Sequence, residues 1–165
     1  MAGNKYMTIV SGVDTLVASN NTSAGAGDAN KLVSLTSAGL IDVSMMPVGI
    51  GADVKIMLTS ENLAVGAMVN IYSNAGVVTG RNADNSNTRP AHGFVLAATT
   101  SPASATVYMS GVDNQLSGMT VGARQYLGTV GVRTETPVTT GIHQYIGLAV
   151  SATELEFESQ DYVVM

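Results

Sequence analysis

The chain contains no cysteine and no tryptophan, and aromatic residues make up only 5% of its 165 positions. The absence of cysteine excludes disulfide bonds, a thiolate nucleophile and a cysteine-ligated zinc site. Charged residues are also scarce, at 12% against roughly 25% in an average globular domain, whereas hydrophobic residues reach 45%. Such a chain is too apolar to stay disordered, and its weakly charged surface favours contact with other subunits.

Positive charge is scarcer than negative charge, with seven basic and twelve acidic residues and a net charge of −5. Because this charge repels a phosphate backbone, we do not expect nucleic acid as a partner. The chain also lacks a run of about 18 apolar residues and an apolar signal-peptide segment near its first residue. We therefore expect synthesis in the cytoplasm, a soluble product and no membrane partner.

Short runs rich in valine, threonine, isoleucine and tyrosine recur from Asp53 onward. Glycine, asparagine, aspartate, serine or proline separates them at intervals of roughly 8–12 residues, a spacing typical of all-β folds. Residues 51–165 are therefore predicted to form an all-β domain, either a compact β-sandwich or a small, jelly-roll-like β-barrel. The spacing does not distinguish a jelly roll from a barrel. Within this domain, Gly80–Pro90 is predicted to be an exposed loop.

The predicted β domain contains a weak internal repeat. Leu63–Ile71 matches Met119–Leu127, and Gly93–Thr99 matches Gly147–Thr153, at offsets of 56 and 54 residues. This pattern suggests two similar halves that close one β core. Chance similarity in a chain rich in valine, alanine and glycine is the alternative.

Residues 1–50 differ from the rest and are predicted to form an extended N-terminal arm. Ala18–Asn30 contains only small and polar residues and one aspartate, which indicates a loop. Leu32–Leu35 and Leu40–Val43 are predicted to pair as a short hairpin around a glycine turn, before a stop at Pro47. A hairpin of this length cannot bury its own apolar side chains. It must therefore pack on the rest of the chain or on a neighbouring subunit.

The two histidines, His92 and His143, are the first candidates for catalysis or metal binding. Neither has another candidate ligand at close spacing, and no Gly-x-Ser-x-Gly motif is present. Both stand where predicted strands begin, so they are interpreted as strand-end residues at the surface or at a subunit contact. We predict no catalytic residue, no metal site and no cofactor. The enzyme alternative is a small hydrolase in which one histidine meets a carboxylate and a hydroxyl.

Ala29–Pro47, with the sequence ANKLVSLTSAGLIDVSMMP, is similar to a segment common in virion proteins of tailed bacteriophages. Leu63–Tyr72, Arg89–Val95, Leu116–Leu127 and Ile146–Thr153 resemble the same group of small capsid-associated proteins, in the same order. The resemblance implies a non-enzymatic virion component, often a homotrimer, attached to the outside of the head. Because the chain lacks long repeats and a coiled coil, a compact decoration or cement protein is favoured over an extended fibre.

We therefore expect a structural virion protein that is made in the host cytoplasm, binds the major capsid protein on the outer capsid surface and stabilises the shell. The arm is expected to make these contacts, and Met45 and Met46 pack either inside the subunit or on the partner. The expected capsid or subunit interface consists of Lys31, Leu32, Val33, Leu35, Leu40, Ile41, Val43, Met45, Met46 and Pro47. The alternative is a head-fibre or receptor-binding module that holds a host-surface glycan in loops such as Arg81–Arg89.

Overall fold

The computed structural model describes residues 5–46 and 53–165. The chain divides into two compact units, Met1–Gly51 and Ala52–Met165. Strands dominate both units, and the helical segments among the described residues are three short 3-10 turns at Ala26–Asp28, Val43–Met45 and Asn85–Asn87. The predicted all-β fold is confirmed.

A β-hairpin begins the first unit. Strands β1 (Lys5–Val10) and β2 (Val13–Ala18) are antiparallel, with Val10 opposite Val13. The two connecting residues, Ser11 and Gly12, have φ angles of 53° and 82°. Positive φ at both loop positions is the requirement of a type I′ turn, whose twist matches the twist of the flanking strands. The threonine- and valine-rich run on each side of a Ser-Gly pair therefore forms the hairpin of the arm.

The hairpin predicted from Leu32–Leu35 and Leu40–Val43 is wrong. Val33 forms only an isolated parallel bridge, with Asn20. The Asp42 carboxylate accepts the backbone N–H two residues further on, at 2.9 Å, and so turns the chain into a 3-10 segment. Short polar side chains compete in this way for backbone groups that a strand would need.

The second unit contains the remaining strands. They are β3 (Val54–Thr59), β4 (Met68–Asn74), β5 (Val77–Asn82), β6 (Gly93–Phe94), β7 (Ser104–Tyr108), β8 (Gly111–Asp113), β9 (Arg124–Leu127), β10 (Arg133–Thr134), β11 (Ile142–His143), β12 (Tyr145–Ala149), β13 (Leu155–Phe157) and β14 (Val163–Val164). Strands β3-β5-β4-β6-β7 form a closed barrel, and β10-β9-β12-β13-β8 form a five-stranded sheet. Strands β11 and β14 pair separately. The choice between a jelly roll and a barrel, which the sequence leaves open, is resolved by the closed barrel.

The two five-stranded sheets repeat one strand order. We number the strands of each half from 1 to 5 along the chain: β3 to β7 in the first half, and β8, β9, β10, β12 and β13 in the second. With this numbering both sheets have the strand order 3-2-4-5-1, which in the closed barrel is read around the ring. The paired residues also correspond: Met68–Phe94 and Val69–Gly93 in the barrel, and Arg124–Leu148 and Gln125–Gly147 in the open sheet. These pairs lie at the offsets of the sequence repeat, so the repeat reflects two similar halves.

The halves differ in how their first and third strands meet. In the barrel, β3 and β5 span six residues each and pair in parallel. In the second half β8 and β10 span three and two residues and form no pairing in the described sheet. There the Arg133 guanidinium donates to the Ser117 carbonyl at 2.6 Å and to Gln125 Oε1 at 2.9 Å. The Arg133 side chain on β10 thus contacts the segment that follows β8. In the first half, the corresponding strands β3 and β5 pair directly.

Two hydrophobic cores stabilise the second unit, instead of the single core predicted. One lies inside the barrel and includes Met57, Val69 and Val107. The other contains residues of both halves, among them Phe94 from the barrel and Phe157 from the open sheet. Their ring centroids are 5.3 Å apart. The two halves therefore share one core. The barrel half also encloses a second core of its own.

The prediction of an exposed loop over Gly80–Pro90 is wrong for most of that segment. Strand β5 continues to Asn82, and Ala83 to Asn85 are buried. The Asp84 carboxylate accepts the backbone N–H of Ser86 at 2.9 Å and begins a 3-10 turn. Only residues 86–88 of the segment are fully exposed. Polar residues that suggested a loop instead make internal hydrogen bonds.

Candidate functional site

The N-terminal arm has apolar side chains on its outside. None of the side chains described in residues 5–46 is buried. The exposed large apolar residues of this range are Met7, Ile9, Val10, Val13, Leu16, Leu32, Val33, Leu35, Leu40, Ile41 and Met46. An apolar surface of this kind is typical of a segment that becomes covered by a partner.

The hairpin exposes apolar side chains on both of its faces. Met7 lies opposite Leu16, and Ile9 is two positions further along the same strand, so the three side chains share a face. Met7 and Ile9 are 72% and 70% exposed. The other face carries half-buried Tyr6 and Val17 and, at the turn end, the pair Val10 and Val13, which is exposed. Water therefore contacts large apolar side chains of the hairpin that lie beside only two charged residues, Lys5 and Asp14.

Polar contacts hold the rest of the arm. The Asn20 N–H donates to the Leu32 carbonyl at 2.9 Å, which joins the two ends of the intervening loop. The Asp28 carboxylate accepts the Ala24 N–H at 2.7 Å and a proton of Lys31 Nζ at 2.8 Å. The Ala24 hydrogen bond, followed by the Lys31 contact, lowers the pKa of Asp28 to about 2. Hydrogen bonds thus shape a segment that has no apolar interior.

The residues predicted as an interface are distributed unevenly in the structure. Six apolar residues of the predicted interface are exposed, as residues of an interface must be before a partner binds. They are Leu32, Val33, Leu35, Leu40, Ile41 and Met46. Lys31 is paired with Asp28, and Met45 is partly buried beside Val33 in a cleft of about 170 Å³. The side chain of Val43 and all of Pro47 lie outside the described residues.

Sequence reasoning missed the hairpin part of this apolar surface. The relevant residues are Met7, Ile9, Val10, Val13 and Leu16. Their signal was a Ser-Gly pair between two β-branched runs. Because the alternate positions are apolar too, neither face could be recognised as the solvent side from the pattern alone.

The barrel adds a smaller apolar surface. Val54, Ile56 and Leu58 alternate along β3 with buried Met57 and Thr59, and all three are exposed. Their alternation places them on the outer face of the barrel. This stripe gives the second unit a surface on which a neighbouring subunit can pack.

The histidines have separate environments. The Nδ1 atom of His92 accepts the Ile71 N–H at 2.9 Å, and the His92 N–H donates to the Val69 carbonyl at 2.8 Å. Burial lowers the pKa of His92, which keeps Nδ1 free to accept this bond. His92 therefore extends the hydrogen bonding of β4. His143 lies beside Tyr126, with ring centroids 4.9 Å apart.

Residues 5–46 and 53–165 contain no group of three or more histidine, aspartate or glutamate residues arranged to hold a metal ion. In the same ranges no helix is long and apolar enough to cross a membrane. The contacts that stand out in this part of the chain are apolar and aromatic.

Asp113 is a buried carboxyl of β8. Its Oδ1 atom accepts the Gln115 N–H at 3.0 Å, whereas Oδ2 has no hydrogen-bond partner among the described residues. Burial raises the pKa of Asp113 above its ordinary value of 3.8, and the Gln115 hydrogen bond opposes this only in part. The folded protein therefore retains this proton at pH values where the unfolded chain has lost it.

We expect Asp113→Asn to remove a component of the pH dependence of stability. From pH 3.8 up to the raised pKa, the folded state binds more protons than the unfolded state, so wild-type stability falls relative to the variant as pH rises. The slope difference is at most about 1.4 kcal/mol per pH unit. Urea unfolding of both proteins from acidic to neutral pH measures it. Parallel stability curves would show that the Asp113 carboxyl titrates normally.

Comparison of the chain with protein-family models, with curated proteins and with solved structures finds no match.

Proposed function

We propose that this chain is a structural subunit that decorates the outer surface of a tailed-phage capsid, with residues 5–46 as its attachment arm. The observation that carries the proposal is the absence of any buried side chain among those described in the arm. Full burial of one large aliphatic side chain is worth about 1.5–3 kcal/mol. A partner that covers several of them therefore offsets the entropy lost when the arm is ordered.

The geometry of the hairpin suits attachment to a protein shell. Strands β1 and β2 form a two-stranded sheet, so within the described residues each has one edge without a partner strand. Such edges accept a strand from a neighbouring chain through backbone hydrogen bonds, while apolar side chains pack on its faces. Many copies on one shell add weak individual contacts into stable attachment. No catalysis is needed for this role.

The proposed partners are the major capsid protein and other copies of the chain. The trimer is implied by the resemblance to phage head proteins, and the apolar stripe on β3 offers a surface for self-association. The shortage of charge supports both contacts, because little desolvation of ions opposes them. The glycan-binding alternative receives little support from Arg81–Arg89, where four of the nine residues are buried and only residues 86–88 are exposed.

Two exposed apolar residues allow a matched test. Leu40 in the arm and Val121 in the β domain are each 66% exposed. We expect wild-type protein to saturate phage heads stripped of their decoration protein and to raise their resistance to heat. Leu40→Lys should weaken binding about tenfold or more, equivalent to about 1.4 kcal/mol of lost apolar burial. Val121→Lys should bind like the wild type.

Co-sedimentation with the heads measures the bound copies, and light scattering of the free protein gives its mass. Ile9→Lys tests the hairpin face in the same assay, and thermal unfolding confirms that each variant is folded. Failure of the wild-type protein to bind the heads would contradict the proposed function. Equal binding by Leu40→Lys, Ile9→Lys and wild type would contradict the assignment of the arm.

A further inference from the structure

A cleft of about 420 Å³ lies on the outer side of the five-stranded sheet, between β9, β12 and the segment that follows β13. Its volume is within the roughly 300–1,000 Å³ of small-ligand sites. Two of the six tyrosines and one of the two histidines of the chain line it. In a chain with so few aromatic residues, this clustering requires an explanation.

Strand register brings the aromatic rings together. Tyr126 on β9 lies directly opposite Tyr145 on β12, with ring centroids 6.2 Å apart and planes at 75°. His143 also packs against Tyr126, with ring centroids 4.9 Å apart. Ile146 points into the core while Tyr145 stays partly exposed, and the pairing of β12 with β9 shifts register between Tyr145 and Gly147. Such irregularities of strand pairing are common beside active sites.

Backbone hydrogen bonds hold the opposite wall in place. The Glu158 N–H donates to the Ile146 carbonyl at 3.0 Å, and the Gln160 N–H donates to the Tyr145 carbonyl at 3.1 Å. The side chain of Gln144, which is buried, also donates to the Gln160 carbonyl at 3.0 Å. The segment that carries the polar lining is therefore fixed against β12 before any ligand arrives.

The polar groups of the cleft are available to a ligand. Within residues 5–46 and 53–165, the side chains of Glu158, Gln160 and Asp161 and the hydroxyls of both cleft tyrosines form no hydrogen bond or ion pair. The Arg124 guanidinium contacts only the face of the Tyr145 ring, at 5.9 Å from its centroid. Two carboxylates, a carboxamide and a guanidinium thus face an aromatic floor.

This combination fits a sugar ring better than an anionic or a hydrophobic small ligand. A pyranose presents an apolar C–H face that packs on an aromatic ring, and adjacent hydroxyls that form paired hydrogen bonds with carboxylate, carboxamide or guanidinium groups. The two carboxylates outnumber the single guanidinium, so the cleft repels phosphate and other anionic ligands. Its open, polar form also gives little apolar enclosure for a hydrophobic ligand.

We propose that this cleft binds a neutral saccharide, with a sugar ring on Tyr126 or Tyr145 and its hydroxyls on Glu158, Asp161 and Arg124. The inference is independent of the arm, since every group involved lies in the second unit. Capsid attachment and saccharide binding can therefore succeed or fail separately.

Saturation-transfer NMR on the full chain tests the proposal with four neutral probes: methyl α-mannoside, methyl β-galactoside, maltotriose and chitobiose. We expect at least one to bind with a millimolar or lower Kd, and Tyr126→Ala to weaken it tenfold or more. Tyr72→Ala is the matched control, because Tyr72 also lies under an arginine, with Arg81 4.0 Å from its ring centroid, but outside the cleft. It should leave the affinity unchanged.

Two exposed carboxylates provide variants that spare the aromatic packing. Glu158→Gln and Asp161→Asn should each weaken sugar binding several-fold without changing the unfolding temperature, even if Tyr126→Ala proves unstable. Absence of saturation transfer from all four probes would overturn the proposal. Equal weakening by Tyr72→Ala, or stronger binding of N-acetylneuraminic acid than of any neutral probe, would also contradict it.

Discussion

Replacement of Gly147 by alanine should strongly destabilise the β domain. Gly147 has a φ of +150°, and an added Cβ would overlap the Glu156 carbonyl oxygen and lie 2.8 Å from Leu155 Cδ1. The first of these is backbone of the neighbouring strand, so it cannot rotate away. We expect the free energy of unfolding to fall by about 4 kcal/mol or more, against a total of roughly 5–15 kcal/mol for a typical domain.

Gly111→Ala separates steric overlap from backbone strain. Gly111 also has a positive φ, of +107°, but no atom lies within 4 Å of its added Cβ. This variant should lose only about 1–3 kcal/mol. Urea unfolding followed by circular dichroism measures both losses. If they were equal, the close approach of β12 to β13 would not be the reason for glycine at position 147.

The same experiment applies to the first half of the repeat. An added Cβ on Gly93 would overlap the Tyr108 carbonyl oxygen, just as one on Gly147 overlaps that of Glu156. Each glycine occupies the fourth strand of its half and faces the fifth. The two halves therefore depend on glycine at equivalent positions.

Phe94→Ala should cause the largest loss among single core truncations, about 3–5 kcal/mol. The ring is fully buried, stacks on Tyr108 at 5.5 Å and contacts Phe157 of the second half at 5.3 Å. Because Phe94 belongs to the shared core, the loss should reach both halves. Hydrogen exchange should then accelerate in β9 and β12 as well as in the barrel.

Val107→Ala is the comparison for this prediction. Val107 is equally buried but lies in the core enclosed by the barrel. We expect a smaller loss of stability and a smaller change of exchange in the second half. Acceleration confined to the barrel in Phe94→Ala would contradict a single cooperative unit.

The β domain could be predicted because its strands alternate. In β7 and β13 buried and more exposed side chains alternate, and such alternation is visible in a sequence. The repeat was also visible, because equivalent glycines and apolar residues perform the same packing in both halves. Closure of one half and not the other depends on the pairing of β3 with β5, which no local pattern encodes.

The arm was harder to predict because none of its described side chains is buried. Without a solvent face and a core face, Lys5–Ala18 has no alternation to identify it, and Leu32–Leu35 has the composition of a strand without becoming one. Lys5–Ala18 forms a hairpin because of its Ser-Gly turn, whereas the Asp42 hydrogen bond turns the chain after Leu40 into a 3-10 segment. Segments whose apolar contacts lie in another molecule are poorly determined by their own pattern.

The cleft proposed to bind a saccharide could not be located from sequence for a different reason. Tyr126 and Tyr145 are nineteen positions apart along the chain and become neighbours only through the register of β9 with β12. The signal that was present is weak: Arg124 and Tyr126 alternate with buried Gln125 and Leu127. That alternation identifies the outward face of β9 but does not show which strand or side chains lie next to it.

Under the proposed function, the β1 and β2 edges that have no partner strand within residues 5–46 and 53–165 also limit how the protein can exist before attachment. Two apolar strands with free backbone donors and acceptors are a template for stacking chain on chain into aggregates. The pool of free subunits therefore has to stay small or be consumed quickly, since aggregation rises with concentration while attachment sites are finite. The free strand edges and apolar side chains proposed for attachment therefore also limit how much unattached protein can accumulate before assembly.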